Sequence, residues 1–439
     1  MDSKISLIGD YTSENCVYIH PIMADRMNVK NGTGTIKFGT QTNTINIIIS
    51  SNYNENELSI SINVINKLKV PLFCLFDFIN DQQNLMIGPF IGILAARTKG
   101  FLDVNTFSDY LHHYEQIGGA IMVFSLDEVS QKEQTIQGFV FNPINKQWKK
   151  DTYYYPSSLF LRIGWFGPNW QSHFESFMGD TIFNNFYYDK WRIYKRLKSS
   201  PELIKHLPDT QLYTKPSDIL LFLEKYQSLY LKPLNSSRGQ GIMKIEQLSK
   251  DRLLVHYLKG KKLIKTILNN QNEINYFFRQ RVKSKKYLIQ QTINLISQNK
   301  SIIDFRIYLT KDSTKTWKYI TVFSRKGRQK QIVSNVSKGG MAGDGLQILK
   351  DTLHLDDHEL SEIEESIQSV ALKAVKAIER SGVHFANTAI DIGIDNNKKI
   401  WIIEIQYCAP GHSSLQRNKT IYYRYLNTIM QYAKKLAGF

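Results

Sequence analysis

The chain has 439 residues, 42% hydrophobic and 12% aromatic, with a formal net charge of +17. It is too long for one ordinary core and too apolar to be disordered, so roughly two to four domains are expected. No apolar run reaches the ~18 residues of a membrane span, and the charge favours a polyanionic partner: nucleotide, nucleic acid, acidic peptide or anionic surface.

The first ten residues, Met1 to Asp10, have no long apolar core and make a poor signal peptide. Cys16, Cys74 and Cys408 are scattered and give neither a disulfide framework nor metal-ligand spacing. A reducing cytoplasm is the expected location.

In chain order, residues 1–82 read as a β-rich module. Thr35 to Gly39, Thr44 to Ile49 and Leu58 to Ile62 are short β-branched runs broken by Asn, Gly and Ser, as in a small barrel or sandwich. Residues 83–182 read as a small α/β domain. It opens near Leu85 with the apolar stretch Met86 to Leu94, followed by a helical stretch from Phe107 to Gln116. The continuous run Ala120 to Phe124 suits a parallel strand covered on both faces. Residues 183–288 carry helical patterns over Lys190 to Leu197 and Pro216 to Glu224, then a strand from Ser228 to Pro233. Residues 289–439 carry strands at Ile289 to Ile293 and Ile302 to Leu309. Leu360, Ile363, Ile367, Val370, Ala374 and Ile378 follow at helical spacing, with Gly382 as the C-terminal cap. The fold class is α/β, with α+β character.

The long helix feeds a hairpin, Thr388 to Gln406, with the polar turn Asn396-Asn397-Lys398-Lys399. Folded symmetrically about Asn397–Lys398, it opposes Ile390, Ile392 and Ile394 to Ile405, Ile403 and Trp401 on one face. Asp391 opposes Glu404 on the other, with Gln406 two residues on. Opposed side chains sit about 5 Å apart at Cβ, so the two carboxylates require a cation between them. Oxygen ligands on a rigid strand pair suit Mg²⁺, which is usually held by one or two carboxylates plus substrate phosphates.

The segment Tyr230 to Ile245 is a strand ending in Lys232, a loop containing Ser237, Gly239 and Gly241, and a second strand from Ile242. Glycines allow backbone amides to approach phosphate oxygens, and such amide nests attract anions. No Gly-Lys-Ser/Thr follows, which excludes a Walker A loop. Asp304 and Arg306 lie two apart on an apolar strand and share a face. Since an unpaired buried Arg is costly, that face borders a cleft or pairs internally. Arg325 and the stretch Asn335 to Gly340 add a cation, an amide and a further glycine loop. Positive charge is concentrated from Lys259 to Lys286, with Glu273 the single acid there; no zinc, homeodomain or RNP-type signature accompanies it.

This ordered set resembles the ATP-grasp superfamily: a lysine, a strand lysine with a glycine flap, paired glutamines, Asp-x-Arg, Asn-x-x-x-Gly-Gly, then Asp and Glu on a hairpin. More closely it resembles the YheC/YheD family of ATP-grasp proteins, described as endospore coat-associated. The stretches that carry the resemblance are Ile87 to Leu94, Asp189-Lys-Trp191, Tyr230 to Ile242, Asp304-Phe-Arg306, Asn335 to Gly340 and Trp401 to Gly411. The resemblance implies ATP and Mg²⁺ as cofactors. Lys190 and Lys232 would contact the phosphates, with Ser237, Gly239 and Gly241 in the flap. Gln290 and Gln291 would line the adenine pocket, and Asp391, Glu404 and Gln406 would hold Mg²⁺. Arg306, Arg325 and Asn335 would stabilise the transferring phosphoryl group or the carboxylate under attack. The family's third metal position is typically Asn, and Gln406 is one methylene longer.

The activity so implied is an ATP-dependent carboxylate–amine ligase working through an acyl phosphate, on an amino acid or peptide. That agrees with the absence of a Gly-x-Ser-x-Gly nucleophile elbow. Cys408 reads as structural; His384 and His412 flank the hairpin region, and two roles are open to them, packing or assisting proton removal from the amine. Two other readings remain open: a kinase on the same scaffold, and a non-catalytic coat or scaffold protein with a basic surface for acidic partners.

Overall fold

The computed structural model describes residues 4–236, 239–260, 262–283, 286–299, 301–327, 341–407, 410–411 and 414–439. Within them the chain builds four sheets in succession.

The first sheet has the strand order Ser6–Asp10, Glu57–Ser61, Cys16–Ile19, Gln41–Ile49, Gly32–Phe38, Asn84–Gly88, Asp77–Asp81. Its two edges meet. Ile5 and Phe76 exchange backbone hydrogen bonds of 2.8 and 2.9 Å, so the sheet closes on itself as a small barrel. Alternation places Ile36, Phe38, Ile45, Ile47, Leu58 and Ile60 in the interior. The stretch Met86 to Leu94 is divided between two sheets: Asn84–Gly88 completes the barrel, and Phe90–Ala96 opens the second sheet.

In that second sheet Phe90–Ala96 lies parallel to Ala120–Ser125 and to Ser158–Leu161. Ala120–Ser125 is buried along its whole length, as its unbroken apolar run requires. The helix expected from Phe107 to Gln116 is instead a 3-10 stretch, Val104–Leu111, and a single turn, Tyr114–Ile117. Asp103 accepts from Asn105 N–H, and Thr106 Oγ1 donates back to Asp103 O; such local bonds compete with a regular helix. The last helix, Lys419–Leu436, packs Tyr425, Ile429, Met430 and Ala433 against Ile91, Ile93, Ile121 and Val123 in one core with Tyr308 and Phe323 of the fourth sheet.

The third sheet, hereafter the flap sheet, is antiparallel in the order Thr210–Leu212, Tyr287–Gln291, Ser228–Pro233, Met243–Ser249, Arg252–Lys259, Lys262–Leu268. Helices Pro216–Tyr226 and Gln271–Arg281 cover one face, burying Leu229, Leu231, Ile245, Leu253, Val255 and Ile289. The fourth, the platform sheet, runs Met341–Asp344, Trp317–Lys326, Ser301–Lys311, Asn387–Ile394, Ile400–Gln406. Its inner face packs on helices Lys190–Lys198, Gly345–Leu353 and Asp357–Glu379 through Ile303, Phe305, Ile307, Ile367, Ala374 and Ile390. The long helix starts in a capping box made by Asp356 and Glu359. It ends at the cap Arg380, two residues before Gly382, which takes φ +82° in the link to the hairpin.

The hairpin departs from the symmetric fold. Its loop spans five residues, because Ile394 pairs with Ile400, and Asp395 Oδ1 accepts from the N–H groups of Asn397 and Lys399. Ile392 therefore opposes Ile402, and Gly393 opposes Trp401. A bulge at Ile403 then resets the ladder, so that Asp391 does oppose Glu404, and Ile390 opposes Ile405.

Candidate nucleotide-binding face

The site is built on the middle strand of the platform. Along Ser301–Lys311, Ile303, Phe305 and Ile307 enter the core while Asp304 and Arg306 face the other way. Register supplies each with a partner of opposite charge: Asp304 lies opposite Arg325, and Arg306 opposite Asp391. Arg325 grips Asp304 with two bonds of 2.7 Å and reaches Asp391 Oδ2 at 3.0 Å. Arg306 grips Asp391 from its Nε at 2.8 Å and its Nη2 at 2.9 Å, and Gln406 Nε2 adds a bond of 3.2 Å to Oδ2. Asp304, Arg325 and Asp391 are buried, and Arg306 is half-buried. Burial alone would raise the Asp391 carboxyl; the guanidinium groups of Arg325 and Arg306 more than offset it and hold it below the ordinary carboxylate range.

Glu404, across the ladder from Asp391, is reached by Lys190. Asp189 caps the helix Lys190–Lys198 by accepting from Arg192 N–H at 2.8 Å, which sets the position of Lys190. Lys190 Nζ lies 3.2 Å from Glu404 Oε1 and 2.5 Å from the backbone oxygen of Ser236, in the flap loop. One ammonium thus ties platform to flap.

From the flap, Lys232 donates to Gln290 Oε1, and Gln290 Nε2 donates to Thr210 Oγ1 at 3.0 Å. Burial pulls the Lys232 ammonium down to about 8, against the attraction of Glu404. Gly239 and Gly241 take φ +70° and +71° in the loop after this strand, and a Cβ at Gly241 would lie 2.8 Å from Pro233 Cγ.

Eight of the candidate residues therefore converge: Lys190, Lys232, Gln290, Arg306, Arg325, Asp391, Glu404 and Gln406. Gln291 does not join them. Neighbouring strand residues face opposite sides, and Gln291 Oε1 accepts from Asp209 N–H at 3.1 Å. Ser237, Asn335, Cys408 and His412 lie outside the described residues. His384 is elsewhere, between Asp180 at 3.0 Å and Tyr432 Oη at 2.6 Å, a packing position. A cleft of about 510 Å³ lined by Trp165, Asn185, Tyr187, Arg192 and His384 contains none of the eight. Thr210 and the carbonyl of Ser236 belong to the cluster without any motif to mark them; only the fold brings them in. Asp304 is marked by Asp-x-Arg, but its bond to Arg325 is a matter of register.

Four cationic side chains meet three carboxylates here, a face suited to an anion with several phosphates. The oxygen set suits a hard divalent ion in type: Glu404 is a third exposed and contacts one lysine, and Gln406 has an amide oxygen. Asp391 is engaged by two arginines and an amide. Among the described residues no group of three or more His, Cys, Asp or Glu side chains is placed to hold a metal alone, so phosphate oxygens would have to complete the shell.

A glycine flap over a platform hairpin, joined through a helix-start lysine, defines an ATP-grasp fold. A family profile described as YheC/D-like ATP-grasp matches residues 179–436, and the chain belongs to that family. It is 24% identical over 432 residues to the endospore coat-associated protein YheD of Bacillus subtilis (strain 168), covering 94% of this chain and 91% of that protein. To YheC of the same organism it is 24% identical over 237 residues, covering 52% of this chain and 61% of that one. Among solved structures, a D-alanine–D-alanine ligase from Coxiella burnetii superposes with a TM-score of 0.46 at 8% identity, covering 80% of this chain and 96% of the other. Among the described residues no helix is long and apolar enough to cross a membrane.

Proposed function

We propose that the protein is an ATP- and Mg²⁺-dependent carboxylate–amine ligase. The observation that carries this reading is Lys190, which bridges the flap-loop carbonyl of Ser236 and Glu404 beside the Arg306–Asp391 pair. A triphosphate under the flap would meet Lys190 and Lys232 from opposite sides, with the amides around Gly239 and Gly241 above it. Asp391, Glu404 and Gln406 would hold Mg²⁺, which neutralises charge on the phosphates when bound.

A carboxylate oxygen of the acceptor attacks the γ-phosphorus, the bond to the β-phosphate oxygen breaks, and ADP leaves. The amine then attacks the acyl carbon, phosphate departs with the C–O bonding pair, and the nitrogen loses a proton to solvent. Lys190 and Lys232 position the phosphate oxygens, and half-buried Arg306 is the guanidinium placed to face the transferring group. Arg325 is nearly enclosed and acts through Asp391, which makes it a positioning residue.

The test is incubation with Mg-ATP, amino acids and short peptides, with hydroxylamine as trap for the acyl phosphate. The ligase reading expects ADP and a hydroxamate; a stable phosphoester would instead identify a kinase. A non-catalytic scaffold has one observation in its favour, the engagement of Asp391 by Arg306, Arg325 and Gln406. Calorimetric titration decides that case, since a pure scaffold has no reason to bind Mg-ATP.

A further inference from the structure

The cleft of about 510 Å³ lies apart from the nucleotide cluster, on another side of the helix Lys190–Lys198. Residues two apart on a helix project about 200° apart. Lys190 therefore reaches the flap loop and Glu404 while Arg192 lines the cleft. His384, which also lines it, stands three residues before the strand Asn387–Ile394 that carries Asp391. From Asn387 to Asp391 alone is about 13 Å, at about 3.3 Å per residue. A small molecule in the cleft is therefore out of reach of a phosphoryl group at Arg306, and is neither the nucleotide nor the reacting amine.

The lining separates charges of opposite sign. Glu175, on the helix Pro168–Met178, and Asp180, just after it, supply two carboxylates; Arg192 supplies a guanidinium from the helix Lys190–Lys198. All three are exposed, and among the described residues Arg192 has no carboxylate within ion-pair distance. Glu175 accepts from Gln171 Nε2 at 2.8 Å, and the Asp180 side chain is 96% exposed beside its contact with His384 at 3.0 Å. The acids and the guanidinium thus border one space without closing on each other. Trp165 and Tyr187, 39% and 45% exposed, add aromatic surface to the same lining. The volume falls within the ~300–1,000 Å³ of small-molecule sites. Charges of both signs beside aromatic rings match a zwitterion with an apolar side chain.

We propose that the cleft is an effector site for a free amino acid with an aromatic side chain. Its carboxylate meets Arg192, its ammonium meets Glu175 and Asp180, and its ring lies against Trp165 and Tyr187. The occupied cleft acts on the nucleotide face through its own wall. Phe186, in that wall, stacks on Tyr407 with ring centroids 4.1 Å apart. Tyr407 Oη donates to Tyr188 O at 2.6 Å and accepts from Tyr188 N–H at 2.7 Å. Tyr188 stands two residues before Lys190, and Tyr407 directly follows Gln406, so this clasp touches the nucleotide cluster at two points. The effector role rests on the nucleotide reading above; occupation of the cleft does not.

The experiment is calorimetric titration of the full chain with L-phenylalanine, with phenylalaninamide, which lacks the carboxylate, and with N-acetylphenylalanine, which lacks the ammonium. L-phenylalanine should bind at least tenfold tighter than either. Arg192→Gln should weaken L-phenylalanine at least tenfold and phenylalaninamide less than twofold, while E175Q/D180N should do the same to L-phenylalanine and spare N-acetylphenylalanine. Saturating L-phenylalanine should change Mg-ATP affinity at least fivefold, and Mg-ATP should change L-phenylalanine affinity by the same factor. Without the amino acid, Arg192→Gln should bind Mg-ATP within twofold of the parent, which shows the nucleotide face intact. Equal binding of the three compounds would overturn the proposal. So would undiminished binding of L-phenylalanine by Arg192→Gln, which would place the amino acid outside the cleft. Unchanged Mg-ATP affinity at saturating L-phenylalanine would overturn the effector role. A chain that binds no Mg-ATP at all removes the nucleotide reading, and the three compounds with Arg192→Gln still decide the cleft.

Discussion

Deleting the carboxylate of Asp304 should unsettle the platform sheet severely, although no sequence motif gives this residue a chemical task. The Arg325 and Asp304 side chains are 6% and 7% exposed and share two bonds of 2.7 Å. Without Asp304, the remaining carboxylate within reach of Arg325 is Asp391, which is already held at both oxygens by Arg306. Two guanidinium groups would then share one acid inside the protein. Breaking a buried pair from one side costs about 3–5 kcal/mol. The surviving contact to Asp391 puts Asp304→Ala near the lower end, about 3 kcal/mol. With a urea dependence of about 2–3 kcal/mol per molar, the unfolding midpoint should fall by about 1 M. Fluorescence of Trp317 and Trp401, both buried on strands of this sheet, reports that transition. The double change Asp304→Leu with Arg325→Met removes the stranded charge and should return stability to within about 1 kcal/mol of the parent. A single variant that loses less than about 1 kcal/mol, or a double variant worse than the single, would refute the argument.

Lys232 loses its proton near 8 in the folded chain, against 10.5 in the usual lysine range. Its buried charge therefore costs stability fully below pH 8, and stability should rise as the pH climbs from about 8 to about 10.5. Calorimetry should accordingly show Mg-ATP affinity falling above pH 8, by up to about tenfold per unit, with Lys232→Arg giving a flat profile. Asp391 has the opposite sense: its depressed carboxyl stabilises the fold above the ordinary aspartate value of 3.8, and that contribution is lost as pH drops through the folded value. Urea midpoints should therefore decline below about pH 4 in the parent, and decline less in Asp391→Asn. Thr210→Val frees the Gln290 amide. One hydrogen bond of about 1 kcal/mol corresponds to about fivefold weaker Mg-ATP binding, restored by Thr210→Ser. Lys190→Ala should abolish ADP release with unfolding by urea unchanged to within about 1 kcal/mol; retained turnover would remove Lys190 from its proposed place.

Much of the fold could be read from local pattern because burial enforces it. Ala120 to Phe124 is apolar without a break and is buried throughout. The helical spacing from Leu360 to Ile378 falls inside Asp357–Glu379. Local pattern failed where a neighbour decides. In Met86 to Leu94 the Gly88-Pro89 step marks a break, yet both halves are equally apolar and nothing local says that they join different sheets. The site shows the same limit. Asp-x-Arg reveals a shared face, while the identity of each partner depends on which strands lie alongside. Gln290 and Gln291 look equivalent in the sequence; strand alternation separates them, and Thr210 becomes relevant only because its strand is paired with theirs.

The bulge at Ile403 has a consequence for parity. In a hairpin closed by Ile394 and Ile400, facing positions always add up to the same even number, and 391 plus 404 is odd. A regular ladder would seat Asp391 across from Ile403 and send the two acids to opposite sides of the sheet. One supernumerary isoleucine reverses that assignment. Deleting Ile403, or inserting a second residue beside it, would scatter the oxygen cluster while leaving every acidic side chain in the sequence.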